Sequence, residues 1–151
     1  MPKLNKTLDT MGIDGKNCIF TWIPRKRSSI AENGFDQGKL IAVKLASLFD
    51  ARCLPLFIRT GGKEQKKLDK KSRKRNAEKS IKLNDTMKGF PHNLGADGLD
   101  NFLNNKTVII VDDVLTSGAT LRRGVELLSR TSASNIVVTC IAKSIKNNKK
   151  A

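Results

Sequence analysis

The sequence lacks any apolar run of the roughly 20 residues that a membrane helix needs, and its polar start, MPKLNKTLDTMG, contains no signal-peptide core. Cysteine is scarce. Cys18, Cys53 and Cys140 are odd in number and far apart, so neither a disulfide framework nor a CxxC zinc site is available. We therefore expect a cytoplasmic protein without membrane insertion, in which the cysteines are small core residues.

Familiar nucleotide-binding and catalytic patterns are also missing. The chain has no GxxxxGK[ST] phosphate loop and no GxGxxG dinucleotide fingerprint. His92 is the only histidine and lies in a stretch of loop composition, so a Ser-His-Asp or Cys-His site has little support. We expect His92 at the surface.

Positive charge is abundant and unevenly distributed. The 151 residues carry 29 Lys and Arg against 14 Asp and Glu, and 38% hydrophobic residues are enough to fill one core. Residues 59–82 hold eleven Lys or Arg against three acidic residues, a net charge of +8. Such a patch attracts the phosphates of a nucleic acid or of a small polyphosphorylated substrate. The alternative interpretation is that this segment is only a solvated, charged face of a basic protein.

The predicted elements alternate, which favours an α/β fold with a mainly parallel open sheet and flanking helices. Strands are predicted at 18–23, 53–58, 107–111 and 136–142, and helices at 37–49 and 119–130. Pro55 marks its strand as an edge or a strand start. The β-branched run 107–111 is typical of a strand that is buried on both faces.

The remaining segments are less regular. A polar, basic loop is predicted from Pro24 to Gly34, and Trp22 before it is expected in the core. Residues 64–81 are strong helix formers with few apolar residues, so we expect helix only when they are packed or bound. Residues 84–105 have loop composition, with a turn of helix at 99–103. The apolar positions of the first main helix are Leu40, Ile41, Val43, Leu45 and Leu48. In the second main helix we expect four apolar residues to face inward: Leu121, Val125, Leu127 and Leu128.

The most informative segment is 108–120, VIIVDDVLTSGAT. A buried strand ends in Asp112 and Asp113, and a short turn rich in hydroxyls then enters a helix. Ligands of open α/β sheets bind beyond the carboxyl ends of the strands, where the first helical amides point at them. The turn therefore predicts a phosphate cradle, in which Gly118 lets the backbone approach closely. The cradle consists of Thr116, Ser117, Gly118, Ala119 and Thr120.

The two carboxylates need a separate explanation, because they repel phosphate. Sugar hydroxyls and Mg²⁺ supply one: carboxylates accept hydrogen bonds from hydroxyls, and Mg²⁺ prefers oxygen ligands while bridging to substrate phosphates. A ribose 5-phosphate fits this arrangement.

The same run resembles the phosphoribosyl pyrophosphate (PRPP) signature of type I phosphoribosyltransferases at every defined position. The resemblance implies their fold and their substrate PRPP. It also implies that Asp112 and Asp113 face the ribose hydroxyls and a Mg²⁺ bound through the substrate, while residues 116–120 wrap the 5-phosphate. Thr116 stands where 6-oxopurine phosphoribosyltransferases have a carboxylate that assists the base, which disfavours hypoxanthine or guanine as the acceptor.

A second resemblance covers most of the remaining chain. Residues 24–27 (PRKR) followed by 34–37 (GFDQ) are similar to the segment of ComF-family competence proteins that runs from a strand through the pyrophosphate loop into a helix. It implies that Arg25 and Lys26 bind pyrophosphate, and that 59–82 is a basic flexible-loop region. The loop residues that it points to are Gln65, Lys66, Lys67 and Arg73. We accordingly expect an N-terminal extension at 1–17, the phosphoribosyltransferase-like domain at 18–143 and a basic tail at 144–151.

The chain departs from the ComF pattern at several positions. Asn33 stands where an Arg is usual, Asp36 where an Asn is usual, and Gly62 where a Thr is usual. The cysteine-rich zinc-binding region of longer ComF proteins is missing from these residues, so we expect a short form, a fragment, or a protein that has lost that module.

The resemblance implies an enzyme that transfers phosphoribosyl from PRPP to a nitrogen nucleophile with release of pyrophosphate, linked to DNA uptake in natural transformation. No catalytic residue is assigned by the sequence. The alternative is a non-catalytic competence protein that binds single-stranded DNA, although no aromatic platform lies between Phe57 and Phe90. A PRPP-responsive transcriptional regulator is a third hypothesis, without an evident helix-turn-helix. Single-stranded DNA, other competence proteins and a second copy of the chain remain open as partners.

Overall fold

The computed structural model describes residues 14–60, 80–84 and 96–143, together with Lys6 and Thr10. A short 3-10 turn precedes the first strand. In chain order the elements are β1 (Cys18–Trp22), α1 (Arg27–Asn33), α2 (Gln37–Leu48), β2 (Arg52–Cys53), β3 (Phe57–Arg59), β4 (Ile81–Leu83), α3 (Ala96–Leu103), β5 (Thr107–Leu115), α4 (Ala119–Leu128) and β6 (Asn135–Lys143).

The main sheet has four parallel strands in the order β2-β1-β5-β6, and β3 pairs with β4 in a separate antiparallel sheet. Helices flank the main sheet, so the predicted α/β fold with a parallel sheet is confirmed. β1 and β5 lie in the middle, which is why all of β1 and the first five residues of β5 are buried.

Side chains of the two central strands alternate between two clusters, as the period of a strand requires. Ile19 and Ile110 belong to the cluster that contains residues of β3, α3 and α4. Phe20 and Ile109 belong to the cluster that contains Ala42 and other residues of α2. The sheet is therefore covered on both faces, and its centre excludes water.

The helix predicted at 37–49 is confirmed, but its apolar pattern misleads about the buried face. Leu40, Val43 and Leu48 are 55%, 48% and 60% exposed. The buried residues are mostly small: Gly38, Ala42, Leu45 and Ala46. Small side chains allow α2 to approach the sheet closely, so the largest apolar residues of this helix are left on its outer side.

The predicted loop from Pro24 to Gly34 is wrong in part, because residues Arg27–Asn33 form α1. Gly34 ends this helix in the left-handed region at φ 78°, and its N–H donates to the Ile30 carbonyl at 2.7 Å. Seven residues give too few turns for a periodic pattern, which explains why the sequence does not reveal the helix.

The single strand predicted at 53–58 is in fact two short strands. β2 forms the edge of the main sheet beside β1, and β3 belongs to the small sheet. Pro55 lies between them, and since proline has no N–H to donate to a ladder, the chain leaves one sheet there and enters the other. The expected edge position is confirmed for β2.

The central strand is longer than predicted. β5 continues through Asp112 and Asp113 to Leu115, because β6 pairs with it as far as Leu115 and Lys143. The two acidic residues therefore lie in a strand rather than in the turn after it. The strand predicted at 136–142 and the helix predicted at 119–130 are confirmed as β6 and α4, with Leu121, Leu127 and Leu128 buried and Val125 half-buried.

Other predictions have mixed outcomes. Trp22 is buried, as is Cys18, while Cys53 and Cys140 are half-buried. Burial raises the pKa of Cys53 to about 11, which makes it a poorly reactive thiol.

The helical turn expected at 99–103 is confirmed and begins earlier, at Ala96. Of the segment predicted helical at 64–81, Ile81 lies in β4, and residues 64–79 lie outside the described residues, as does His92.

Across residues 14–60, 80–84 and 96–143, no helix has both the length and the apolar character to span a bilayer.

Gly15, in the 3-10 turn before β1, allows a close approach to the end of α2. A Cβ atom there would lie 2.0 Å from the backbone carbonyl oxygen of Phe49. Gly15→Ala is therefore expected to lower the free energy of unfolding by about 2 kcal/mol or more, measured by urea denaturation. Gly38→Ala is the matched control, since the nearest atom to its added methyl lies at 3.5 Å. Equal stability of the two variants would contradict this packing.

Candidate functional site

The candidate site lies at the carboxyl ends of β1 and β5. These strands pair in parallel from Cys18 and Thr107 to Trp22 and Val111. The loop 23–26 therefore begins where β1 ends, while β5 continues past that point through Asp112 and Asp113, paired with β6, and leads into residues 116–120. This brings two of the predicted groups of ligand-binding residues to one place.

An ion pair joins the two segments. The Arg25 guanidinium donates from Nη2 to Asp113 Oδ2. The side chains are 31% and 17% exposed, so the pair is partly shielded from water and stronger than a fully exposed one. The basic loop and the acidic strand end thus already contact each other in the ligand-free chain.

Asp112 and Asp113 differ in their electrostatic environments. Burial, the side-chain hydrogen bond with Asp113 and the charge of Asp113 together raise the pKa of Asp112 to about 6. Burial also opposes ionisation of Asp113, but hydrogen bonds from Asp112 and from the Val114 backbone, together with the charge of Arg25, outweigh it and lower the pKa of Asp113. Asp113 is therefore the first of the two to ionise, and it carries most of the charge of the pair below about pH 6.

The turn after β5 has the conformation that an approach to phosphate needs. Gly118 caps α4 in the left-handed region at φ 66°, where residues other than glycine are strained. Ser117 Oγ accepts from the Ala119 N–H at 3.5 Å. Thr116 and Ser117 are exposed, while Gly118, Ala119 and Thr120 are half-buried. Thr116 and Ser117 are thus at the surface, directly after the strand that carries the two carboxylates.

Two side chains that the sequence does not point to hold the basic loop. Asp36 Oδ2 accepts from the backbone N–H of Arg25 at 3.2 Å, and Arg59 Nε donates to the Pro24 carbonyl at 2.9 Å. Arg59 also donates from Nη1 to Ser80 Oγ at 3.2 Å. Burial lowers the pKa of Arg59, and the charge of Asp36 partly offsets this effect. Asp36 is also the N-cap residue of α2, and its contact with Arg25 depends on the tertiary fold.

The other predicted residues are distributed differently. Lys26 is exposed and precedes α1 as its N-cap residue. Trp22 lies at the end of β1, and Lys39 Nζ lies 5.9 Å from the centroid of its ring. The predicted loop residues Gln65, Lys66, Lys67 and Arg73 lie outside the described residues.

Within the described ranges, no group of three or more His, Cys, Asp or Glu side chains could enclose a metal ion. Asp112 and Asp113 are two adjacent carboxylates with hard oxygen donors. This donor set fits Mg²⁺, which usually keeps several waters and takes one or two protein carboxylates together with substrate phosphates. It does not fit a structural zinc site, which needs four protein ligands.

Comparisons with known proteins agree with this geometry. The family model described as "Phosphoribosyl transferase domain" matches residues 38–150. A curated relative, the transcriptional regulator GfcR of Methanosphaera stadtmanae, is 49% identical over 43 residues, which cover 27% of this chain and 22% of that protein. The alignment thus spans less than a quarter of the relative's length.

The chain is also similar to solved structures. A hypothetical protein from Neisseria gonorrhoeae with bound ppGpp superposes with a TM-score of 0.53 at 12% identity, over 95% of this chain and 65% of that one. A purine phosphoribosyltransferase from Pyrococcus horikoshii gives a TM-score of 0.47 at 19% identity, over 93% of this chain and 68% of that one.

Asp112 is expected to make stability depend on pH in the metal-free protein. Its folded-state pKa is raised from 3.8 to about 6, so its favourable contribution is present at low pH and is lost as the pH rises through about 6. The free energy of unfolding of Asp112→Asn, measured relative to that of the wild type, should therefore rise by on the order of 1 kcal/mol between pH 4.5 and 7, after allowance for partial exposure. Urea denaturation in EDTA measures this, and a constant difference across that range would contradict it.

Proposed function

Because the chain belongs to the phosphoribosyl transferase domain family, we propose that it binds PRPP at the carboxyl ends of β1 and β5. The observation that carries the proposal is the placement of three groups at one end of the sheet. Arg25 of the basic loop contacts Asp113, which is adjacent to Asp112, and the turn with Gly118 follows Leu115, where β5 ends. They complement the hydroxyls, the 5-phosphate and the pyrophosphate of one molecule.

Each part of the ligand has its own residues in this proposal. The amides and hydroxyls of residues 116–120 bind the 5-phosphate, since the left-handed Gly118 exposes backbone donors at the start of α4. Asp112 and Asp113 accept hydrogen bonds from the ribose hydroxyls. Arg25 and Lys26 bind the pyrophosphate, and Arg25 already lies beside the carboxylate of Asp113.

The two carboxylates would also hold Mg²⁺, together with oxygens of the substrate. When bound, the ion supplies charge neutralisation for the phosphates. The Arg25 guanidinium, which contacts Asp113, would turn from that carboxylate toward the pyrophosphate when the ligand binds. The pair thus keeps the charge of Arg25 close to the site before the ligand arrives.

The reaction that fits this site is displacement at C1 of the ribose by a nitrogen nucleophile, with pyrophosphate leaving. The protein's contribution is to align the reactants and to stabilise the charge of the departing group through Arg25, Lys26 and the loop amides. Within the region 59–82, the residues between β3 and β4, among them Gln65, Lys66, Lys67 and Arg73, are proposed to close over the ligand and exclude water. The base or other acceptor is left for experiment.

The finer identity that we propose is a ComF-family protein linked to DNA uptake, with its phosphoribosyltransferase domain at 18–143. The residues that support it are the PRKR and GFDQ segments, which flank α1 and lead from β1 into α2. Their place beside the carboxylates is consistent with a pyrophosphate loop. The protein is proposed to act in the cytoplasm with Mg²⁺ as its cofactor.

A second candidate is a regulator that binds PRPP without turning it over. The observation that favours it is the 49% identity over 43 residues with a protein named as a transcriptional regulator. Pyrophosphate release separates the two candidates: an enzyme releases it in the presence of its nucleobase acceptor, and a regulator binds PRPP but releases none.

Calorimetric titration of PRPP with Mg²⁺ tests the site. Wild type is expected to bind with micromolar affinity, and Asp112→Asn/Asp113→Asn to lose at least about tenfold, because both acceptors for the ribose hydroxyls are weakened. Asp50→Asn is the matched control, since it neutralises an exposed carboxylate at the far end of α2. Absence of binding in a folded wild type would overturn the proposed function.

A further inference from the structure

One peptide unit of the basic loop is held at both of its polar ends. The Pro24 carbonyl accepts from Arg59 Nε at 2.9 Å, and the Arg25 N–H of the same unit donates to Asp36 Oδ2 at 3.2 Å. Because a peptide unit is planar, fixing its oxygen and its nitrogen fixes the rotation of the whole plane. The Cα of Arg25 is attached to this plane, so the starting direction of its side chain is fixed as well.

The two holding residues come from different parts of the fold. Asp36 is the N-cap of α2, and its second oxygen, Oδ1, accepts from the Lys39 N–H at 3.4 Å. Arg59 ends β3 and also donates to Ser80 Oγ, next to β4. The loop is therefore tied to the start of a core helix on one side and to the small sheet on the other.

The charges of the two residues support each other. Arg59 is half-buried, and burial alone disfavours its charged form. The carboxylate of Asp36 offsets part of that cost. Loss of either residue therefore weakens the hold of the other, although the two side chains contact opposite ends of the peptide.

We propose that Asp36 and Arg59 are positioning residues, which fix the Pro24–Arg25 peptide so that Arg25 reaches the pyrophosphate side of the site. This inference rests on the proposed function and adds two residues that contact the loop rather than the substrate. Both residues contact the loop that leads to Arg25, whereas the 5-phosphate is proposed to bind at residues 116–120, so their loss should weaken binding of pyrophosphate and spare binding of the 5-phosphate.

Asp36→Ser separates the two roles of Asp36. Serine is as good an N-cap as aspartate, so the cap of α2 is kept. Its single short-chain oxygen, however, cannot accept from Lys39 and also reach Arg25. Arg59→Lys keeps the positive charge but loses the planar fork that donates to both Pro24 and Ser80.

Matched controls carry the same kinds of substitution, Asp to Ser and Arg to Lys, at positions outside the basic loop and its contacts. Asp14→Ser alters another aspartate that caps through a backbone N–H, that of Lys16, at the opposite end of β1. Arg52→Lys alters an exposed arginine in β2. Both controls should bind ligands as the wild type does.

The test compares two ligands, PRPP with Mg²⁺ and ribose 5-phosphate, by calorimetry and by the fluorescence of Trp22, the only tryptophan and buried at the end of β1. Asp36→Ser and Arg59→Lys should each weaken PRPP binding about tenfold and leave ribose 5-phosphate within about twofold of wild type. The fold-loss of PRPP affinity in the double variant should be smaller than the product of the fold-losses in the two single variants, because both residues hold one peptide.

The outcomes distinguish this inference from the proposed function. A wild type that binds neither ligand overturns both. A wild type that binds both ligands, with full PRPP affinity in Asp36→Ser and Arg59→Lys, overturns the positioning role alone. Equal weakening of the two ligands, or losses that simply multiply in the double variant, also contradicts it.

Discussion

The pairing of β1 with β5 is the constraint on which the site depends. Five successive residues of each strand pair in parallel, and both strands are buried on both faces. This fixes the ends of the strands relative to each other within the spacing of neighbouring strands, about 4.8 Å. β5 extends beyond β1, supported there by β6 alone. Asp112 and Asp113 therefore lie on the part of β5 that extends beyond β1, and Arg25, from the loop that follows β1, contacts Asp113 there.

Acidic and basic side chains both lie near this end of β5, although the chain as a whole carries a net charge of +15. Asp113 contacts Arg25, and Asp36 accepts from the Arg25 backbone and offsets part of the cost of burying the charge of Arg59. A purely basic cleft would attract any polyanion. The proposed site instead combines carboxylates with a phosphate-binding turn, which would select an anion that also carries hydroxyls or a divalent cation, as PRPP does. This distinguishes a sugar phosphate site from a general nucleic-acid surface.

The sequence predicts the centre of the fold well and its periphery poorly. The β-branched run of β5 and the following DDVLTSGAT are local signals, so the strand, the turn and the helix α4 could all be predicted. The extension of β5 to Leu115 depends on pairing with β6, and α1 is too short to show periodicity. The buried face of α2 consists of small residues, which hydrophobicity does not mark. The contacts of Asp36 and Arg59 join distant segments and leave no local pattern.

A crystal structure with Mg²⁺ and PRPP would test the central claim most directly. The account predicts the 5-phosphate against the amides of residues 116–120 and the ribose hydroxyls at Asp112 and Asp113. It also predicts that the Arg25 guanidinium has turned from Asp113 to the pyrophosphate. Density for PRPP elsewhere on the molecule, with the Arg25–Asp113 pair unchanged, would contradict it.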